Sequence, residues 1–279
     1  MKDKLILMLA LVSILALAGS GLAQVKMGLQ DYYTATADGK SPEQNLEDNV
    51  MPLLRVFGYY SGGGLYHTAK THGMLGFDVG IRAIAIKVGD DLKTGWTGSV
   101  GQSGGPLGDQ DYIALPMIQA SLGLPLNLEA TARFFSYPIG EAADGTKDNF
   151  TLAGIGLKYG LVQNMLFPRV MIMGSYHKLM VPEEFDFADV STFSMDLVVS
   201  KGIPMVATFY GGVGFDNTTM KVEFDLPGGT TFGEEYKTGA MFRGVVGVKF
   251  DFIPMMYLNV DYNFGKNQGI VAGLGLSFL

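Results

Sequence analysis

Segments of about ten residues in which apolar and polar side chains alternate recur through most of this chain, and they restrict its fold more than any other feature. In Gly76–Ala83, Phe77, Val79 and Ile81 share one face, and Asp78, Gly80 and Arg82 the other. In Leu126–Phe135, Leu128, Ala130, Ala132 and Phe134 oppose Asn127, Glu129, Thr131 and Arg133. The same two-residue period runs through Phe193–Ser200, Phe242–Phe252, Leu258–Phe264 and Gly269–Phe278. A period of two is the mark of a strand with two unlike faces. Soluble strands average about 5–6 residues, whereas a tilted strand needs about ten to cross a bilayer. A soluble sandwich turns its apolar face inward; a membrane barrel turns it outward to lipid. The segment length, and a second face that is both charged and rich in Gly, favour the barrel.

The connections give a topology. Leu124-Pro125, Val162–Pro168, Lys201–Pro204, Ile253-Pro254 and Gly265–Gln268 are short or marked by Pro. Gly89–Asp111, Ser136–Asn149, Met180–Val190 and Asp216–Thr238 are long and polar. From Gly89 to Ile253 long and short alternate, as extracellular loops and periplasmic turns do. The fold class expected is all-β: a transmembrane antiparallel β-barrel of about ten strands. These fall at 75–88, 113–123, 126–135, 150–160, 169–179, 191–200, 205–215, 239–252, 256–264 and 269–278. Residues 219–226 also alternate, and are expected in an extended extracellular hairpin; twelve strands are the alternative. Phe134, Tyr137, Tyr159, Tyr176, Phe252 and Tyr257 fit interfacial aromatic girdles.

Three units are expected: a signal peptide over 1–23, an N-terminal plug or periplasmic segment over 24–74, and the barrel over 75–279. Lys2 and Lys4 precede a 14-residue apolar run, Leu5–Ala18, and small residues lead to Ala23. That is the layout of a secretory signal peptide, too short to span a bilayer as a helix. Cleavage after Ala23 is expected, with Ala18 as the alternative. Losing Lys2, Asp3 and Lys4 leaves 18 basic and 26 acidic residues, a charge of −8. That charge gives no reason to bind nucleic acid. With no Cys there is no thiolate metal site or disulfide, and no cofactor is expected.

Within 24–74, Ser41-Pro42-Glu43-Gln44 reads as a helix start: a capping Ser, Pro at the first helical position and Gln three residues after the cap. Leu46, Val50, Leu53 and Leu54 follow on one face, and Gly62-Gly63-Gly64 ends the helix. The segment then folds into the barrel mouth as a plug. Tyr66, Thr68, Ala69, Lys70 and His72, followed by Gly76-Phe77-Asp78, resemble a segment ahead of the barrel in an uncharacterised family of bacterial outer-membrane proteins, distantly like long-chain fatty acid transporters. The resemblance implies an outer-membrane barrel and hints at passage of a hydrophobic compound. The closing run Gly269–Leu279 resembles the C-terminal signal by which the barrel-assembly machinery recognises its clients, with Phe278 penultimate rather than last.

The lumen-lining candidates are Asp78, Arg82, Glu129, Arg133, Lys158, Arg169, His177, Asp196, Arg243, Lys249, Asp251 and Asp261. Five acids against six bases suggest ion pairs across a narrow interior, since buried charges need partners. Gly80, Gly154, Gly156, Gly160, Gly212, Gly214, Gly247, Gly273 and Gly275 share that face, leaving room for a plug or ligand, or relieving curvature. His67 and His72 lack the spacing of a helical metal pair. His177 with Ser175 or Ser194 lacks a nucleophile elbow, so no enzyme is expected. Two functions remain. One is passive passage or binding of a small hydrophobic solute, for which the inward Met171 and Met173 would suit. The other is a closed structural or surface-display barrel acting through extracellular loops. Outer-membrane lipid is the expected surrounding, in a Gram-negative-type bacterium.

Overall fold

The computed structural model describes residues 41–90, 111–141, 147–180, 188–203, 206–226 and 230–278. The signal peptide expected over 1–23, residues 24–40 of the expected plug segment and residues 91–110 of the expected Gly89–Asp111 connection lie outside the described residues. Helix α1 spans Pro42–Gly62. Among the described residues eleven strands follow: β1 Phe77–Lys87, β2 Tyr112–Gly123, β3 Leu128–Glu141, β4 Lys147–Val162, β5 Arg169–Met180, β6 Ala188–Ile203, β7 Ala207–Leu226, β8 Thr230–Lys237, β9 Met241–Ile253, β10 Met256–Gly265 and β11 Gly269–Phe278.

Ten of these close a ring. Each pairs antiparallel with its neighbours, β6 meets β7, and β1 closes onto β11 with Asp78 opposite Ser277 and Arg82 opposite Gly273. The eleventh, β8, pairs only with Thr219–Leu226 of β7, beyond the stretch of β7 that binds β9. The alternation at 219–226 therefore belongs to a projecting hairpin, and the twelve-stranded alternative is not adopted. Sidedness follows the alternation. Asp78 and Arg82 are 0% exposed, while Val213 on the outer face is 62% exposed. Phe134, Tyr159, Tyr176 and Phe252 lie on that outer face. Two girdle assignments fail: Tyr257 is fully buried inside, and Tyr137 packs against the inner core. Both residues carry the inward parity of their strands, which outweighs proximity to a strand end.

Two of the long polar connections, Ser136–Asn149 and Asp216–Thr238, are largely strand where described. Tyr137 pairs with Phe150 and Glu141 with Lys147, so much of 136–149 continues the β3–β4 ladder. Pairing of unlike strands persists beyond the bilayer because each edge satisfies the backbone of the other. At the opposite end the turns are tight. Leu126 and Asn127 in the β2–β3 turn both hold left-handed backbone, φ 63° and 59°. Such a turn favours Asn or Gly, and a Leu there is strained. Leu126 is also 82% exposed, so its side chain contributes little packing. Leu126→Asn is expected to raise stability by about 1 kcal/mol, read as a higher urea midpoint in lipid vesicles; an unchanged or lower midpoint would show that the turn carries no such strain.

α1 begins as its first residues dictate. Ser41 Oγ accepts from the Gln44 backbone N–H at 3.3 Å, and the Gln44 side chain accepts from Ser41 N–H at 3.2 Å. Its apolar face (Leu46, Val50, Leu54, Val56) is buried inside the ring. The helix enters at the mouth ringed by the long hairpins, where Leu46 shares a core with Val222 and Tyr236. It descends until Gly62 meets Asp216 and Arg243. Gly64, at φ 65°, turns the chain into an extended strap over 63–76. The strap leaves at the short-turn end, where Leu75 N–H donates to Gly123 O and Gly123 N–H to Gly76 O.

The lumen thus has two halves. Around α1 it is apolar, lined by Ile84, Ile86, Ile113, Leu115, Met117, Leu152, Val222 and Val271. Around the strap it is charged and hydrogen-bonded. An inner face that is uniformly hydrophilic, as the alternating segments suggest, holds for neither half: even around the strap, Met171, Met173, Val198 and Val245 form an apolar cluster beside the charged groups.

Candidate functional site

The charged half of the lumen is built around two arginines. Arg243 on β9 donates to Asp196 on β6 at 2.9 Å and to Asp216 on β7 at 3.1 Å, and reaches Asn263 Oδ1 at 3.1 Å. Arg82 on β1 donates to Asn259 Oδ1 and Tyr257 OH, each at 2.7 Å, and Tyr257 OH donates on to Asp78 at 2.8 Å. Tyr210 OH bridges the two, donating to Asp261 at 2.9 Å and accepting from Asn259 at 3.3 Å. A third group, Lys158 and Glu129 at 3.2 Å, sits nearer the short turns.

The strap closes onto these groups residue by residue. Leu65 O accepts from Gln119, and Tyr66 OH donates to Asp196 at 3.2 Å. His67 stacks on Tyr257, centroids 4.3 Å apart, with Nδ1 2.9 Å from Arg82 Nη2. Burial and the Arg82 charge hold His67 well below the usual imidazole range, so it is neutral and accepts from the guanidinium. Ala69 N–H donates to Ser200 Oγ at 2.9 Å, Thr71 N–H to Gln163 at 3.1 Å, and His72 N–H to Glu129 at 2.9 Å. The His72 ring spans Glu129 and Ser277, 2.9 Å from each.

Of the sequence candidates, Asp78, Arg82, Glu129, Arg133, Lys158, His177, Asp196, Arg243 and Asp261 are buried in the lumen. Among the described residues Arg133 enters no ion pair with a carboxylate. It donates to Ser61 O at 3.1 Å and Gly63 O at 2.9 Å, neutralising the negative end of α1. Lys249 lies over the Tyr257 ring and pairs with Asp251 at the rim, 2.8 Å away. His177 is buried with neither ring nitrogen hydrogen-bonded, and neither Ser175 nor Ser194 donates to it. Met171 and Met173, expected to suit an apolar ligand, are packed against Leu65, Tyr66 and Ala69 of the strap. The lumen glycines make space for side chains of neighbouring strands: Gly273 lies beneath Arg82, and Gly154 beneath His177.

Sequence reasoning missed Asp216, which it placed in a loop, and the strap's contribution of Tyr66, His67 and His72. Asp216 shares the parity of Gly212 and Gly214, the one signal that could have found it. Among the described residues no group of three or more His, Cys, Asp or Glu is placed to hold a metal. A cavity between Tyr59, Asp216, Met241, Phe242, Arg243, Lys266 and Asn267 measures about 10 Å³, room for one water.

A ten-stranded antiparallel ring with lipid-type side chains outside and a lumen packed by its own N-terminal segment defines an outer-membrane β-barrel. Residues 97–278 match the model of a family of unknown function (DUF6588), and the chain belongs to that family. The motif Tyr66–Asp78 lies ahead of the matched stretch. No curated protein matches the chain. Among solved structures it is similar to the N-terminal β-barrel domain of OprF from Pseudomonas aeruginosa, at 17% identity over 55% of this chain and 96% of that one, TM-score 0.29. It is similar to the translocator domain of the autotransporter NalP from Neisseria meningitidis, at 12% identity over 84% and 98%, TM-score 0.36. The attachment invasion locus protein Ail of Yersinia pestis is alike at 12% identity over 74% and 99%, TM-score 0.29. Likenesses this distant carry no functional argument; the barrel stands on its own strand pairing.

Proposed function

We propose that the protein is a closed outer-membrane barrel that acts through its outer face rather than by passing solute. The observation that carries this reading is the lumen filled along its length, by α1 in the outer half and by the strap in the inner half. A small barrel normally fills its interior with side chains, and here a segment of backbone is added. Passage of a hydrophobic compound, at which the likeness to fatty acid transporters hints, would require expelling a strap held by buried hydrogen bonds at nearly every residue. Among the described residues, the outward face carries the β3–β4 and β7–β8 hairpins and the start of α1, a surface suited to contact with other cells or macromolecules. β11, paired on both sides at the ring closure, is the strand the barrel-assembly machinery would recognise, and outer-membrane lipid surrounds the ring.

The full-length protein, reconstituted in planar bilayers, is expected to be electrically silent at moderate voltage. Steady single-channel openings of the unmodified protein would overturn the closed reading and restore the channel.

A further inference from the structure

From Tyr66 to His72, the strap's side chains or backbone groups engage the barrel wall, but one ammonium is left over. The Lys70 carbonyl accepts from Lys158 Nζ at 2.6 Å, while its own side chain makes no hydrogen bond or ion pair with the described residues. Facing it is the first lumen residue of β5. Arg169 is half-buried, its Nε is sealed from solvent without a hydrogen-bond partner, and its guanidinium has no carboxylate among the described residues.

The fold itself puts these two cations together. Arg169 stands opposite Ser200 in the β5–β6 ladder, and Ser200 Oγ takes the N–H of Ala69, the residue before Lys70. Gln163, in the turn just ahead of β5, grips both Ala69 O and Thr71 N–H, fixing the strap on either side of Lys70. The acids of this mouth are already engaged: Glu129 holds Lys158 and His72, and Asp251 holds Lys249. Burial, and next the charges of Arg169 and Lys249, lower the pKa of Lys70, and they outweigh the opposing pull of Asp251, which is paired to Lys249.

We propose that Lys70 and Arg169 form a binding site for a phosphate-type dianion at the short-turn mouth of the lumen, the periplasmic end of an outer-membrane barrel. Two positive charges, an exposed ammonium and a half-buried guanidinium with no ion-pair partner among the described residues, match inorganic phosphate or a phosphomonoester, which carries close to two negative charges at neutral pH. A carboxylate would neutralise only one. The guanidinium fork meets two phosphate oxygens side by side, and the ammonium takes a third as a point charge. The site stands whether or not the lumen conducts.

The test is calorimetric titration of the full-length protein in maltoside micelles with inorganic phosphate, in a phosphate-free buffer. A saturable one-to-one isotherm is expected, weakened at least about tenfold in Lys70→Gln and in Arg169→Gln, in line with loss of a charge-assisted contact. Lys70→Arg should retain most of the affinity, and unaltered gel heat-modifiability will show that each variant is folded. A parallel titration with phosphatidic acid, whose headgroup is a phosphomonoester, in mixed micelles separates the sources. If the lipid binds with the same dependence on Lys70 and Arg169 and competes with phosphate, the anion is a headgroup held at this same site. Binding of neither, or equal binding by the parent and both Gln variants, overturns the proposal.

Discussion

Replacing Arg243 with leucine is expected to lower the stability of the barrel by about 3–5 kcal/mol. The guanidinium is 5% exposed and is the counter-charge for Asp196 and Asp216, themselves 2% and 3% exposed. Its removal leaves two carboxylates inside a packed wall with only Tyr66 and smaller groups to solvate them. A buried pair contributes modestly over an apolar equivalent, but half of a broken pair is severely destabilising. The comparison that separates these terms is Arg243→Leu combined with Asp196→Asn and Asp216→Asn, which should recover most of the loss. Urea unfolding in lipid vesicles measures both. An Arg243→Leu variant that unfolds at the parent's midpoint would mean the two acids are neutral or hydrated rather than paired.

Gly123→Val is expected to cost about 3 kcal/mol and to free the strap's exit. Gly123 ends β2 on the lumen face and exchanges backbone hydrogen bonds with Leu75 and Gly76. A Cβ there would collide with the carbonyl oxygens of Gly73 and His72, which are backbone atoms that no rotamer change can move aside. The wall at this point belongs to a closed ring, so the strap must yield instead. Its grip through His72 on Glu129 should loosen with it. Limited proteolysis is expected to cut within 70–76 in the variant and not in the parent, and brief channel openings should replace silence in planar bilayers. A variant as protected and as silent as the parent would show that the strap is not seated against this wall.

Much of the barrel is legible in the sequence because a two-sided strand must write its two solvents into alternate positions. Asp78, Arg82, Glu129, Arg133, Asp196, Arg243 and Asp261 all sit where that parity puts them. Legibility fails where the two faces carry the same character. Ala83-Ile84-Ala85-Ile86 is apolar throughout, and there the inner face meets α1 rather than water, so nothing in the local pattern distinguishes inside from outside. It fails again where pairing, not polarity, sets the end of a strand. Asp216 was lost because β7 runs well past the residue at which a bilayer crossing would finish.

The helix start at Ser41 and the break at Gly62–Gly64 are local, and the chain states them outright through capping chemistry and residues without side chains. What the strap does is not local. Tyr66 meets Asp196 and His72 meets Glu129, 130 and 57 residues apart in the chain, and Ala69 meets Ser200, the residue opposite Arg169. Amino-acid order alone determined that this protein is a ring of two-faced strands with a helix ahead of it. Only the closed ring decided that the helix and strap fill the interior and which charges meet there, because partners so far apart in the chain become neighbours only once strand register and closure have fixed the wall.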